Sequence, residues 1–142
     1  MATRDRRRYA PAGGSATIAT TGNTDLFVIA PVNGLLSEAL FSGVDALAAN
    51  DTNYLTFSIT NLGQAGAGSA ALLAATDANT TKATGGTALA ANAKRALTLH
   101  GTDGNLRVQA GDRLRLRAAA TGTLANTVTF ATYLLTFVKE LP

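Results

Sequence analysis

Residues Asn53–Thr60 read NYLTFSIT. Successive side chains of a strand point to opposite faces. Leu55, Phe57 and Ile59 therefore share one side, and Tyr54, Thr56, Ser58 and Thr60 the other. This period of two marks a half-buried β-strand. Before it, Val44–Asp51 reads as a loop or a single helical turn. After it, Asn61–Gly86 is long, Gly/Thr/Asn-rich and irregular. An unstructured stretch of that length inside a compact domain is often a binding loop.

The same texture extends both ways. Ser15–Thr21 is a weak strand, Gly22–Asp25 is expected to turn, and Leu26–Ala30 (LFVIA) reads as buried. Pro31 closes that run, because proline lacks the N–H a central ladder needs. Leu35–Ser42 has helix-favouring residues but is bounded by Gly34 and Gly43 at strand length. Ser69–Ala75 fits a strand or a short helix. Ala96–His100 opens the second half. Leu106 and Val108 alternate with Arg107 and Gln109, Ala110-Gly111-Asp112 turns, and Arg113, Arg115 and Arg117 alternate with Leu114 and Leu116. The pattern predicts a hairpin. Thr127–Val138 is the longest β run. With about eight short strands and no long helix, the expected class is all-β, an antiparallel β-sandwich or jelly roll.

The last run is apolar on both faces in its C-terminal half. Val128 and Phe130 start on one face, while Tyr133, Leu135 and Phe137 fall on the other. A β-bulge near Ala131-Thr132 would swap the faces and put both sets in one core. Alternatively, one row packs in the core and the other against a second subunit. A strand buried on both sides is a third reading.

Charge is confined to one end. Arg4, Arg6, Arg7 and Arg8 face a single Asp5, so the first eight residues carry the whole formal net charge of +3. The remainder is neutral. Residues 1–14, with Pro11 and Gly13-Gly14, read as an extended basic arm, and 15–142 as the sandwich domain. There is no cysteine and one histidine among 142 residues. Disulfides, thiolate chemistry and a two-histidine metal site within one chain are thereby excluded. No apolar run is long enough to span a bilayer, and no signal peptide is expected, which points to synthesis in a cytoplasm.

Individual motifs carry little chemistry. Gly63–Ser69 (GQAGAGS) lacks the Gly-Lys-Ser/Thr ending of a phosphate loop. His100 has no nucleophile and acid arranged around it by the sequence. Arg107, Arg113, Arg115 and Arg117 suit either a solvated strand face or carboxylates on a neighbouring protein. Nucleic acid would call for interleaved aromatics, which this stretch lacks. No enzyme, metal or cofactor is expected.

Four stretches together resemble the capsid decoration (cement) proteins of tailed bacteriophages: Leu26–Pro31 (LFVIAP), Asn50–Gly63 (NDTNYLTFSITNLG), Asn105–Arg117 (NLRVQAGDRLRLR) and Thr127–Phe137 (TVTFATYLLTF). The likeness covers roughly residues 15–138 and leaves out the arm. It implies a β-sandwich or jelly roll, a trimer at capsid three-fold positions, and no catalysis. On that reading the chain binds the outer surface of the mature capsid and bridges major capsid protein subunits. Arg4, Arg6, Arg7, Arg8 and Tyr9 are the expected capsid contacts. Tyr133, Leu135, Phe137, Arg113 and Arg115 are the expected oligomer contacts. Neither nucleic acid nor membrane is an expected partner. The alternatives are a head-fibre or tail component, or a carbohydrate-binding β-sandwich.

Overall fold

A computed structural model describes residues 9–140. Nine strands are present: β1 (Tyr9–Ile18), β2 (Gly22–Ile29), β3 (Gly34–Ser42), β4 (Tyr54–Asn61), β5 (Ala70–Ala71), β6 (Arg95–Ala96), β7 (Arg107–Val108), β8 (Arg113–Thr121) and β9 (Val128–Lys139). One sheet has the order β1-β9-β3-β6, with β7 also on β3, and the other has β2-β8-β4-β5. All pairings are antiparallel. Read side by side, the two orders match β1 with β2, β9 with β8, β3 with β4, and β6 with β5. Each strand's chain neighbour thus takes the same place in the opposite sheet, which is the wrapping of a jelly roll.

The alternation read in the sequence sets the core. Leu55, Phe57 and Ile59 of β4 are buried against Leu114, Leu116 and Ala118 of β8 and against Leu36, Ala39 and Phe41 of β3. Phe41 joins the sheets, its ring 4.8 Å from that of Phe57 across the sandwich and 5.3 Å from that of Tyr133 beside it. Two glycines let β9 be gripped from both sides. A Cβ at Gly13 of β1 or Gly34 of β3 would run into the backbone carbonyl of Tyr133 or Val138.

Two of the three long strands of the first sheet, β9 and β3, carry a bulge. In β9, Ala131 pairs with Ala16 and Val128 with Ile18, so one extra residue is accommodated there. Phe130 takes it up with φ of 47° and a ring that is 70% exposed. The faces swap at that point, and Val128, Ala131, Tyr133, Leu135 and Phe137 all enter one core. In β3 a second shift between Leu36 and Glu38 likewise returns Ala39 and Phe41 to the inside.

Several expectations are corrected. Tyr9–Gly14, read as arm, is the first half of β1 and pairs with Tyr133–Val138. Its alternate small residues fit under the second sheet, so the stretch needs no large side chains. Gly22–Asp25 is the start of β2, with Gly22 at φ 73°. Residues 106–117 do not form a hairpin. Leu106 ends a four-residue helix, α1 (Asp103–Leu106), β7 joins β3, and β8 joins β2 and β4. The turn between them carries the chain from one sheet to the other. Gly111 lies there at φ 95°, and the buried Asp112 carboxylate accepts from the Gln109 N–H and from Asn61 Nδ2.

Candidate functional site and interaction surfaces

The residues expected to act together are divided among three places. Arg4, Arg6, Arg7 and Arg8 lie outside the described residues. Tyr9 heads β1, pairs with Val138 and is 62% exposed. Tyr133, Leu135 and Phe137, expected on an interface row, face the core of their own chain, because the bulge at Phe130 turns them inward. Burial pushes the Tyr133 phenol well above its usual range. Arg113 and Arg115 lie on the outer face of the other sheet.

The outward row of β9 is displaced by one residue from the expected one. Leu134 is 43% exposed and lies between Gly13 of β1 and half-buried Leu40 of β3. Val138, also half-buried, lies between Tyr9 and Leu35. The outer face of the first sheet is mixed: Leu134, Val138, Leu35 and Leu40 lie at one end, and polar Ser15, Thr132 and Ser42 separate them from Phe130 at the other. Charge is present there too: Glu38 lies on β3 opposite Thr136, and Arg107, paired with Glu140, lies beside Leu35. The small side chains of β1 leave Leu134 uncovered. The sequence showed an apolar row without a partner; the bulge decides which row it is.

On the second sheet the arginines of β8 have different surroundings. Arg117 is held by a two-pronged contact from Nε and Nη2 to Asp25, at 2.7 and 2.8 Å. That bond lowers the Asp25 carboxyl and raises the Arg117 guanidinium. The Arg113 guanidinium stacks 4.0 Å from the Phe27 ring centroid. Arg115 sits between Phe27 and Thr60, and its buried Nε has no hydrogen-bond partner among the described residues. Beside Arg113, Ile29 is 58% exposed. Arg107, in contrast, belongs to the first sheet and pairs with Glu140.

The long stretch after β4 is tied down by two residues that the sequence did not single out. Asn79 is buried, donates from Nδ2 to the Ala74 and Thr98 carbonyls, and accepts from the Thr98 N–H, each at 2.8 Å. Arg95 donates to the carbonyls of Thr87, Ala78 and Thr80 at 2.6 to 2.9 Å. Together they hold Leu73–Lys82 as a fixed wall beside β4. Asn79 within an Asn-Thr-Thr triplet looks like a surface glycosylation signal, and only its burial shows it to be structural. His100 Nδ1 accepts from the Thr102 N–H, a local turn contact.

No protein-family model and no curated protein matches this chain. Among solved structures, a chain from a cyanophage Pam1 capsid asymmetric unit is similar at 15% identity and TM-score 0.47, over 99% of this chain and 91% of that one. Infectious bursal disease virus chains are similar at 12% identity and TM-score 0.41 for the Gt strain, and at 11% and 0.40 for the Gx strain. Each covers 94% of this chain, but only 32% and 33% of the viral chain. These chains come from structures of two viruses, one in two strains; the scores say nothing of what this chain does.

Proposed function

We propose that the chain is a capsid decoration protein that binds the outer surface of a mature tailed-phage capsid as a homo-oligomer and bridges major capsid protein subunits. The observation that carries this reading is the apolar cluster at one end of the outer face of the first sheet, where exposed Tyr9 and Leu134 lie with half-buried Val138, Leu35 and Leu40. Large exposed apolar patches mark interaction surfaces. The resemblance of the four sequence stretches to cement proteins supports a trimer, and a cyclic assembly would repeat the same face around its axis. Arg113 and Arg115, beside exposed Phe27 and Ile29, suit carboxylates of a neighbouring protein, since arginine and aromatic residues are favoured at such contacts. The basic segment 1–8 leads directly into Tyr9 and serves as the capsid grip. A ligand that binds only the mature lattice stabilises that state by mass action. No bond-making step is required.

The test is co-sedimentation with expanded and unexpanded shells lacking the protein. Saturable binding to the expanded form alone, in multiples of the oligomer, is expected. Absence of binding to expanded shells would overturn the reading.

Two variants separate its parts. Deleting residues 1–8 should leave the melting temperature unchanged, because the whole of β1, from Tyr9 to Ile18, and its pairing with β9 are retained. Four arginine contacts at about 0.2–1 kcal/mol each correspond to a loss of shell affinity of roughly fourfold to several hundredfold, larger at low salt. Equal affinity for the truncated protein would remove the arm from the interface. Leu134→Asp places a charge on an exposed site, so the protein should stay folded and change mass in light scattering. An unchanged oligomer would place the contact elsewhere.

A further inference from the structure

A groove of about 520 Å³ runs along the outer face of β4. Its floor is the hydroxyl row Tyr54, Thr56, Ser58 and Thr60, all half-buried and none hydrogen-bonded through its hydroxyl to another described residue. Alternate residues of a strand repeat at about 6.6–6.8 Å, so Thr56, Ser58 and Thr60 set their hydroxyls along one line, with the Tyr54 ring at its end. The opposite wall is the segment that Asn79 and Arg95 hold in place. It presents small Ala71, Ala74 and Ala75 at one end, and Asp77 with Lys82 at the other. Lys82 Nζ donates to Asp77 Oδ1 at 2.9 Å and lies 5.0 Å from the Tyr54 ring centroid. The charges in the groove therefore cancel, and its hydrogen-bonding capacity is mostly neutral hydroxyl.

We propose that this groove binds a neutral oligosaccharide, laid along β4 with its ring hydroxyls on Tyr54, Thr56, Ser58 and Thr60 and its C–H faces against Ala71, Ala74 and Ala75. The chemistry matches on three counts. A hydroxyl both donates and accepts, as does a sugar hydroxyl, so a row of them serves either orientation. Sugar rings are polar at the rim and apolar on their faces, as the two walls are. Among the lining residues the one cation, Lys82, is already engaged by Asp77, which favours a neutral ligand; Arg115, opposite Thr60 on β8, makes acidic glycans the competing class on the array. The wall is tied by buried hydrogen bonds, so little ordering cost is left for binding.

The experiment uses the full chain. A printed array of neutral and acidic glycans is screened, and maltohexaose, cellohexaose and chitohexaose are titrated while backbone amide resonances are followed. The expected result is saturable binding of at least one neutral glycan, with shifts centred on Tyr54–Thr60 and Leu73–Lys82. The triple variant Thr56→Val, Ser58→Ala, Thr60→Val should keep the melting temperature and lose affinity by about tenfold or more, as a site built on hydrogen bonds does when they are removed. No glycan bound on the array or in titration, shifts elsewhere, or unchanged affinity in the variant would each overturn the proposal. Shell co-sedimentation of the same variant should match that of the parent. A variant that binds glycan normally but no longer sediments with shells would assign the groove to the capsid contact instead.

Discussion

Replacing Leu135 by aspartate is expected to leave no soluble folded protein. Leu135 lies on β9 in the middle of the first sheet, fully buried. Removing a buried leucine side chain alone costs about 2–5 kcal/mol. The carboxylate adds more: an uncompensated buried charge is so costly that the group takes up a proton instead, and even then it lacks hydrogen-bond partners. The sum is comparable with the roughly 5–15 kcal/mol that holds a typical domain together. One residue earlier, the same change at Leu134 faces outward and should be tolerated. Circular dichroism and solubility of the pair decide the matter. A folded, soluble Leu135→Asp protein would mean that the bulge at Phe130 does not set the faces of β9 as described.

Phe57→Ala should be the largest loss among changes that still allow folding, about 3–5 kcal/mol for a buried phenylalanine. Its ring packs against Phe41 from the opposite sheet, and such aromatic pairs add roughly 0.5–1.5 kcal/mol beyond area. The Arg95 guanidinium also lies 5.4 Å from its centroid, and burial lowers the pKa of that guanidinium. The substitution thus strips an apolar neighbour from the residue that ties the long loop, and the groove wall should loosen along with the core. Urea unfolding gives the first effect; hydrogen exchange at Leu73–Lys82 gives the second. A loss below about 1 kcal/mol would be far too small for a core phenylalanine.

The all-β class and the inner face of β4 were legible because a period of two leaves little choice of face. The jelly-roll order was among the readings, but pairing is non-local, and no strand announces its neighbour. The failed hairpin shows why. Two alternating runs and a glycine turn look the same whether the chain folds back in one sheet or crosses to the other. Here the crossing rests on Asp112 and Asn61, fifty-one positions apart in sequence. The β9 face was undecidable for the same reason: a bulge depends on the partner strand's register, and Phe130 has no marker in its neighbours. Tyr9–Gly14 looked like arm because a strand of small residues shows no apolar period. Of the surfaces, Arg113 and Arg115 were visible as a ladder, while Phe27 and Ile29 beside them were hidden inside a run that reads as wholly buried.

The order in which the strands lie bears on how the chain comes to be folded at all. In chain order β9 follows the other described strands, yet it sits between β1 and β3. β8, the one before it, sits between β2 and β4. Neither sheet has its central member until these two have emerged, so β1 and β2 wait unpaired during synthesis. Folding is therefore slow in the manner of chains dominated by distant pairings. A product cut short before β8 would keep only the two-residue pairings of β5, β6 and β7, and its long strands would be open edges with every reason to aggregate.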